Sequence, residues 1–215
     1  MIYYNLGEGV EAFSTNRGDV LPYSVIQGHQ VHDDRIAVIT SPDTTREELD
    51  GYDAFITTLE NCAIGARTAD CVPVLLYDPV RRVVAAVHSG WKGTVKRISQ
   101  KTIQKLVSNF CVDPANLKAV IGPSISPESF EVGEEVVEAF LNAGFPQEIV
   151  IRAGYQKPHI DLWLANRWLL EQMGVKRENI HIEAICSYTN HDTLNSARWE
   201  HNSKTDRTIN AIKLC

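Results

Sequence analysis

The sequence lacks long hydrophobic runs and an excess of positive charge. No segment approaches the roughly 18 consecutive apolar residues that a membrane helix needs, and the first residues lack the basic start and apolar stretch of a signal peptide. The 215 residues carry 21 Lys and Arg against 27 Asp and Glu, a formal net charge of −6. This balance argues against a general nucleic-acid binder. We therefore expect a cytoplasmic protein with neither a membrane nor a nucleic acid as partner; the oligomeric state stays open.

Sulfur-containing residues are also scarce. The two methionines are Met1 and Met173. The cysteines are odd in number and widely spaced along the chain: Cys62, Cys71, Cys111, Cys186 and Cys215. This pattern is typical of reduced thiols rather than of a disulfide framework. The sequence has neither G-x-G-x-x-G nor Walker A motifs, which argues against nucleotide binding of those kinds, and it has no C-x-x-C or H-E-x-x-H metal signature.

What the sequence does contain is an interleaved series of strand and helix patterns. Runs rich in Val and Ile between turn residues predict six clear strands: Val72–Tyr77, Arg82–His88, Leu117–Ile121, Glu148–Arg152, His181–Cys186 and Thr208–Leu214. Apolar residues at helical spacing predict helices over Thr94–Phe110 with Thr94 as the cap, over Glu134–Leu141, and from Asp161 as the cap to Gly174 as the stop. We expect an α/β or α+β protein, a single domain over 1–215, with a mixed sheet and outer helices.

Cys71 and His88 form half of a candidate metal site. Cys71 begins one predicted strand and His88 ends the next, with a turn at Asp78 between them. If these strands pair antiparallel, the thiol and the imidazole lie at the same end of the hairpin. Either His29 or His32 would complete a set of three ligands, which is typical of catalytic zinc with an open fourth position. The alternative is that Cys71 is a small buried hydrophobe and His88 a hydrogen-bonded loop residue.

Charged residues near these two positions are candidates for catalysis and substrate binding. Arg67 lies four residues before Cys71, and Lys92 lies four residues after His88, so both are expected to reach one cleft and bind phosphate. Asp70 is a candidate general base or proton carrier, or else it caps a turn. We predict Arg67 and Asp70 as catalytic residues, and the predicted substrate-binding residues are Ser89, Lys92 and Arg17. A solvated surface charge is the alternative for each cation.

Three motifs together resemble those of a known family. They are Q-V-H ending at His32, T-A-D-C-V-P around Cys71, and H-S-G-W-K-G starting at His88. They closely resemble the laccase-domain family, the multicopper polyphenol oxidases of the YfiH type, and the similarity runs from Phe13 to the C-terminal segment. The resemblance implies His32, Cys71 and His88 as the metal ligands and so selects His32 over His29. It also implies a layered α/β/β/α sandwich like the cytotoxic-necrotizing-factor catalytic domain.

The activity implied by the resemblance is zinc-dependent purine nucleoside phosphorolysis in the cytoplasm. The substrates would be adenosine, inosine, guanosine or methylthioadenosine together with phosphate, and some relatives also deaminate adenosine. Zn(II) fits the residue inventory better than copper, because a blue-copper centre usually needs an axial methionine. The alternatives are a hydrolase that edits peptidoglycan precursors, a copper-dependent polyphenol oxidase, and a protein whose zinc is only structural.

The sequence departs from the family pattern at four positions. Asp33 stands in place of a usual glycine, Ser124 in place of a cysteine, Trp199 in place of an arginine, and Asp206 in place of a glycine. None of them is an implied ligand. The last two place the substrate contacts of the C-terminal segment in question.

Overall fold

The computed structural model describes residues 1–202 and 204–215. Over this part of the chain the strands are β1 Ile2–Tyr4, β2 Val10–Ser14, β3 Val25–Ile26, β4 Ile36–Ile39, β5 Ala54–Thr57, β6 Ala63–Thr68, β7 Val72–Asp78, β8 Val83–Ser89, β9 Lys118–Ile121, β10 Val150–Ile151, β11 His159–Ile160, β12 Ile180–Ile182 and β13 Thr208–Leu214. The helices are α1 Trp91–Val95, α2 Ile98–Phe110, α3 Glu134–Asn142 and α4 Leu162–Gln172. No helix in the described ranges is long and apolar enough to cross a membrane.

Most strands belong to two mixed sheets. The first has the order β1-β2-β13-β6-β3 and the second the order β12-β9-β7-β8-β5-β4, while β10 and β11 form a small separate pair. Each large sheet contains both antiparallel and parallel pairs. The prediction of a mixed α+β fold with helices and strands interleaved is therefore confirmed. The single domain over 1–215 and the likeness to the cytotoxic-necrotizing-factor domain stay predictions.

The six-stranded sheet is buried on both faces, which explains the continuous apolar sequence of its central strands. Along β7, Leu75 and Tyr77 pack in a core that includes Ile64 and Ile212 of the other sheet. The alternating residues Val74 and Leu76 pack in a second core with the helices. Successive side chains of a strand point to opposite faces, so one strand supplies both cores. The ends of β7 and β8 are thereby fixed between two packed layers.

Several predicted strands match the structure closely. The strand over Thr208–Leu214 has the predicted bounds, β7 extends the prediction by one residue, and β8 and β9 each begin one residue later than predicted. Two predictions were too long. Only Val150–Ile151 of the stretch 148–152 is a strand, because Gln147–Ile149 forms a 3₁₀ turn before it. The strand at 181–186 is instead Ile180–Ile182, which pairs with β9 as far as Ile121, where β9 also ends.

The predicted helix from Thr94 to Phe110 is wrong in its first part. The structure has two helices, α1 and α2, because Arg97 between them adopts a left-handed backbone conformation with φ of 63°. Gly90 rather than Thr94 caps α1, and the Thr94 hydroxyl bonds to the Gly90 carbonyl from within the helix. The other helix predictions are confirmed: α3 has nearly the expected bounds, and the Asp161 carboxylate caps α4 by accepting from the Leu164 amide at 2.7 Å.

Candidate metal centre and cavity

The β7–β8 hairpin brings Cys71 and His88 together. The two strands pair antiparallel, with Val72 opposite Ser89 and Pro73 opposite His88. Cys71 directly precedes the first of these pairs, so it lies at the same end of the hairpin as the imidazole. The predicted hairpin is confirmed, and it follows from apolar strands that each need a packed layer on both faces.

His32 joins these two residues from the loop before β4. One ligand atom from each of His32, Cys71 and His88 lies within 4.8 Å of the others. The two imidazole rings meet edge to face, with centroids 4.8 Å apart. His88 is buried, Cys71 is half-buried and His32 is exposed. His29 instead bonds through Nδ1 to Asp50 at 2.9 Å, which leaves it outside this triad.

Asp53 holds two members of the triad in place. Its carboxylate oxygen Oδ1 lies 2.7 Å from His88 Nδ1, which leaves His88 Nε2 for the site. The same carboxylate accepts the backbone N–H groups of Val31, His32 and Asp33 at 3.1, 2.9 and 3.0 Å. Such outer partners fix the orientation of ligating imidazoles in metal proteins. Asp53 is fully buried directly before β5, and sequence reasoning did not find it.

Interactions within the triad shift the pKa values of Cys71 and His88 in opposite directions. Burial alone would raise the pKa of the Cys71 thiol. The positive charge of His88 and a hydrogen bond from His32 have the larger effect, so the pKa of the thiol lies below its usual value. Burial lowers the pKa of His88, yet Cys71 and Asp53 together raise it above its usual value. Thiolate and imidazole are the donor types that zinc and copper prefer.

Gly90 provides the space that the triad occupies. A Cβ atom at this position would lie 2.9 Å from Cys71 Sγ and 3.1 Å from His32 Cδ2. The backbone of Gly90 has a φ of −63°, which any residue adopts. The glycine is therefore required by the close approach of two proposed ligands and not by backbone conformation.

Asp70 connects the triad to the C-terminal loop. Its carboxylate accepts from the Ser187 hydroxyl and from the Arg198 backbone N–H, each at 2.7 Å. Its backbone has a φ of 83°, in the left-handed region. These contacts tether the residue next to Cys71 to a loop more than 100 positions later in the chain. A role of Asp70 in moving protons stays a prediction.

A cavity of about 550 Å³ opens beside the triad. Four cationic side chains and three histidines contribute to its wall. Its described lining residues are Gly28, His29, Gln30, His32, Arg46, Arg67, Ala69, Cys71, His88, Ala197, Lys204, Thr205 and Arg207. None of them is an aspartate or a glutamate. The Gln30 amide fixes the position of Arg67 by bonding to both its backbone N–H and its carbonyl.

The predicted substrate-binding residues lie outside this wall, whereas Arg67 is part of it. Ser89 is buried, with its hydroxyl 3.0 Å from that of Thr94. Lys92 is exposed above the Trp91 ring. Arg17 donates to Glu200 at 2.5 Å and to the Leu194 carbonyl at 3.4 Å. Contact of these three residues with substrate stays a prediction.

Comparison with known proteins identifies the family to which the chain belongs. The family model described as multi-copper polyphenol oxidoreductase laccase matches residues 11–215. The chain belongs to this family. The resemblance of the three sequence motifs is thereby confirmed. The name of the laccase family refers to copper, whereas the described part of the chain holds one group of three donors, which does not identify the metal.

Two curated relatives are named as enzymes that act on purine nucleosides. A purine nucleoside phosphorylase of Bacteroides thetaiotaomicron is 39% identical, covering 83% of this chain and 69% of the relative. Adenosine deaminase RL5, from an unknown prokaryotic organism, is 37% identical, covering 89% of each chain. Membership of this laccase family therefore supports an enzyme with a purine nucleoside phosphorylase-like function.

Solved structures show the same fold. The hypothetical protein YfiH of Bacillus licheniformis matches with a TM-score of 0.81 and 29% identity, covering 87% of this chain and 73% of that one. YlmD of Geobacillus stearothermophilus matches with a TM-score of 0.88 over 100% of this chain and 96% of that one, at 20% identity. Because the identity to YlmD is only 20%, this similarity supports the fold alone.

Proposed function

We propose that this chain is a zinc-dependent purine nucleoside phosphorylase. The proposal depends chiefly on one observation: the triad of His32, Cys71 and His88 borders a cavity whose described wall is cationic and carries no carboxylate. Such a wall suits a phosphate co-substrate. The relative from Bacteroides thetaiotaomicron that carries this name supports the same reaction class. The proposed substrates are adenosine, inosine, guanosine or methylthioadenosine, each with inorganic phosphate.

The donor set fits zinc. Two imidazoles and one thiolate are ordinary zinc ligands, and three protein donors leave a coordination position open. His32, Cys71 and His88 would hold the ion, and Asp53 would keep His88 Nε2 directed at it. A blue-copper site usually adds a weak axial methionine, but the two methionines, Met1 and Met173, are not among the described residues of the cavity wall. When bound, zinc supplies Lewis acidity and lowers the pKa of a coordinated water.

The reaction assigns a definite task to the protein side chains. A phosphate oxygen forms a bond to the ribose C1′, the C1′–N9 bond breaks, and its electron pair leaves with the purine, which takes up a proton. The cationic wall would bind and orient the phosphate. Holding both reactants in this way makes a bimolecular step effectively unimolecular. Arg67 is the cation that we assign to this role with most support, because Gln30 fixes its backbone.

Deamination of adenosine is a second candidate activity. It is favoured by the likeness to adenosine deaminase RL5, which extends over 89% of both chains. This reaction needs water and no phosphate, so it can be separated from phosphorolysis on the same sample.

One assay distinguishes the candidate functions. Purified protein of known metal content is incubated with adenosine, with and without phosphate, and the products are separated by chromatography. Adenine and ribose 1-phosphate that form only with phosphate support the proposal, and inosine supports deamination. Adenine and ribose formed without phosphate, or activity confined to phenols or peptidoglycan precursors, would overturn it. His88→Ala should abolish turnover, since it removes one proposed ligand.

A further inference from the structure

We propose that His29 gives a proton to the departing purine and that Asp50 is its positioning residue. This inference rests on the proposed function for its substrate. Phosphorolysis leaves a purine anion that must take up a proton, and a positioned side chain speeds such a transfer. The proton would pass from His29 Nε2 to the purine N7 as the C1′–N9 bond breaks, and His29 would become neutral. We call these two residues the His29–Asp50 dyad.

The hydrogen bond within the dyad leaves one ring nitrogen for a substrate. His29 Nδ1 lies 2.9 Å from Asp50 Oδ1, whereas Nε2 has no hydrogen-bond partner among the described residues. A carboxylate on one ring nitrogen holds an imidazole in one orientation and stabilises its protonated form. The protonated ring can then donate through Nε2. Because the loss of that proton leaves the Nδ1–H bond to Asp50 in place, the dyad stays intact after the transfer.

Two sets of contacts fix the backbone around His29. His29 and Asp50 pair as an isolated parallel bridge, and the Gly51 N–H donates to the His29 carbonyl at 2.9 Å. The next residue, Gln30, forms two side-chain hydrogen bonds with the backbone of Arg67, at 2.8 and 3.0 Å. The imidazole is therefore carried by a segment attached to its neighbours on both sides. A side chain on such a support can be held in reach of a substrate atom.

His29 lies between two cavities of different charge. It borders the cavity beside the triad and also a second cavity of about 490 Å³, whose described wall consists of His29, Arg46, Glu47 and Asp50. The second wall carries two carboxylates, and the described wall of the first carries none. Arg46 opposes a positive charge on the imidazole, and Asp50 and Glu47 offset it. The His29 side chain is 67% exposed, so solvent can return the proton after each turnover.

The other candidate proton donors are less suited to this role. Imidazole is the side chain that changes charge most readily near neutral pH. The other histidines of the described wall, His32 and His88, are proposed metal ligands. Asp70, the predicted proton carrier, is not among the described residues of this wall, and both its carboxylate oxygens accept hydrogen bonds from the protein. Among the described histidines of the wall, His29 is the one left for proton transfer.

A comparison of two substrates tests the proton transfer. The purine of inosine must take up a proton as it departs. The N7-methylated ring of 7-methylguanosine is already positively charged and departs as a neutral base without a proton. In the zinc-loaded protein, His29→Gln should lower kcat/KM for inosine about 100-fold or more and leave kcat/KM for 7-methylguanosine near its original value. Asp50→Asn should show the same selective loss to a smaller extent.

His181→Gln is the matched control for this comparison. Like His29, His181 is an exposed histidine that bonds to a carboxylate, with its Nε2 2.9 Å from Glu183 Oε2. It lies outside the described wall of the cavity. We expect His181→Gln to keep the original kcat/KM for both nucleosides.

Binding measured without turnover tests the contact between His29 and the purine. With phosphate omitted, the zinc-loaded protein is titrated calorimetrically with inosine and with 7-deazainosine, which has a C–H group in place of N7. The original protein should bind inosine about tenfold more tightly than the deaza analogue, because only inosine accepts the hydrogen bond. His29→Phe keeps a ring but no ring nitrogen, and it should bind the two nucleosides equally.

The outcomes separate the dyad from the proposed function. A preference for N7 that disappears in His29→Phe, in a protein without phosphorolysis, supports His29 as the donor to N7 and overturns the proposed function. Phosphorolysis that His29→Gln leaves unchanged, or lowers equally for inosine and 7-methylguanosine, overturns the role of His29 while the proposed function stands. A protein with neither phosphorolysis nor a preference for N7 overturns both.

Discussion

The carboxylate of Asp53 lies 2.7 Å from His88 Nδ1 and at the same time accepts the backbone N–H of His32 at 2.9 Å. One buried side chain therefore positions a histidine of the β7–β8 hairpin and a histidine of a separate loop. The third proposed ligand, Cys71, is placed by the start of β7. The triad thus depends on a residue that does not belong to it.

Replacing Asp53 should weaken metal binding more than it weakens the fold. In Asp53→Asn one oxygen remains to accept the loop amides, but the negative charge that orients His88 is lost. We expect zinc affinity to fall by about 10- to 100-fold, as for other outer-shell partners of ligating histidines. Competition with a chromophoric chelator measures this change. Asp192→Asn, at a side chain that is 93% exposed, is the control and should keep the original affinity; equal affinity in both variants would show that Asp53 does not support the site.

Gly90→Ala should disrupt the triad directly. The new methyl group would lie 2.9 Å from Cys71 Sγ and 3.1 Å from His32 Cδ2, so at least one of these residues must move. We expect a loss of zinc stoichiometry, measured by metal analysis after dialysis. Gly133→Ala is a matched control, since Gly133 also precedes a helix with a negative φ, and the three atoms nearest to its Cβ would all belong to the flexible, exposed Glu135 side chain. Full zinc content in Gly90→Ala would contradict the close-approach explanation.

The contacts of Asp70 should contribute mainly to stability. Asp70→Ala removes the acceptor for both the Ser187 hydroxyl and the Arg198 backbone N–H. Leaving such donors unpaired costs about 1–3 kcal/mol, which urea denaturation can measure. Ser187→Ala removes only one of the two bonds and should cost less. An Asp70→Ala protein as stable as the original, but inactive, would instead favour the predicted catalytic role of Asp70.

Asp161 should make stability depend on pH. Burial raises the pKa of this carboxyl above its usual value, although hydrogen bonds from the Leu164 and Trp163 amides oppose the shift. Since the folded-state pKa is the higher one, the favourable contribution is present at acidic pH and is lost as the pH rises through the folded-state pKa. Asp161→Asn keeps a good helix cap and should flatten this part of the stability curve. If the free energies of unfolding of the two proteins, measured in urea, changed with pH in parallel, this assignment to Asp161 would be contradicted.

Much of the fold could be predicted because apolar patterns report directly on burial. The strands β7 and β8 contain near-continuous hydrophobic runs, and their pairing brings Cys71 to His88 as expected. The choice between His29 and His32 could not be made from the pattern, since both lie in one loop; it came from the family resemblance. The structure places His32 beside Cys71 and His88, whereas His29 bonds to Asp50; metal binding by the three residues stays a prediction.

Other parts of the site depend on contacts that no local pattern records. Asp53 reaches His88 across the pairing of β5 with β8, 35 residues later in the chain. Arg46 enters the cavity from a loop with no distinctive sequence motif. The break between α1 and α2 is set by Arg97, whose guanidinium donates to the Ala143 carbonyl at 2.6 Å. Such tertiary contacts override helix periodicity.

The packing of the two large sheets against each other has a consequence for the chemistry. Arg67 lies near the end of β6 in the five-stranded sheet and His88 near the end of β8 in the six-stranded sheet, so the side chains packed between the sheets act as a spacer that sets the distance between these two residues. Leu75 and Ile212 are part of this spacer. Leu75→Ala should therefore raise the KM for phosphate as well as lower stability, although Leu75 does not line the cavity. The KM for phosphate of the folded Leu75→Ala variant, measured by steady-state kinetics, would show how strictly the protein interior sets the spacing of the groups in its active site.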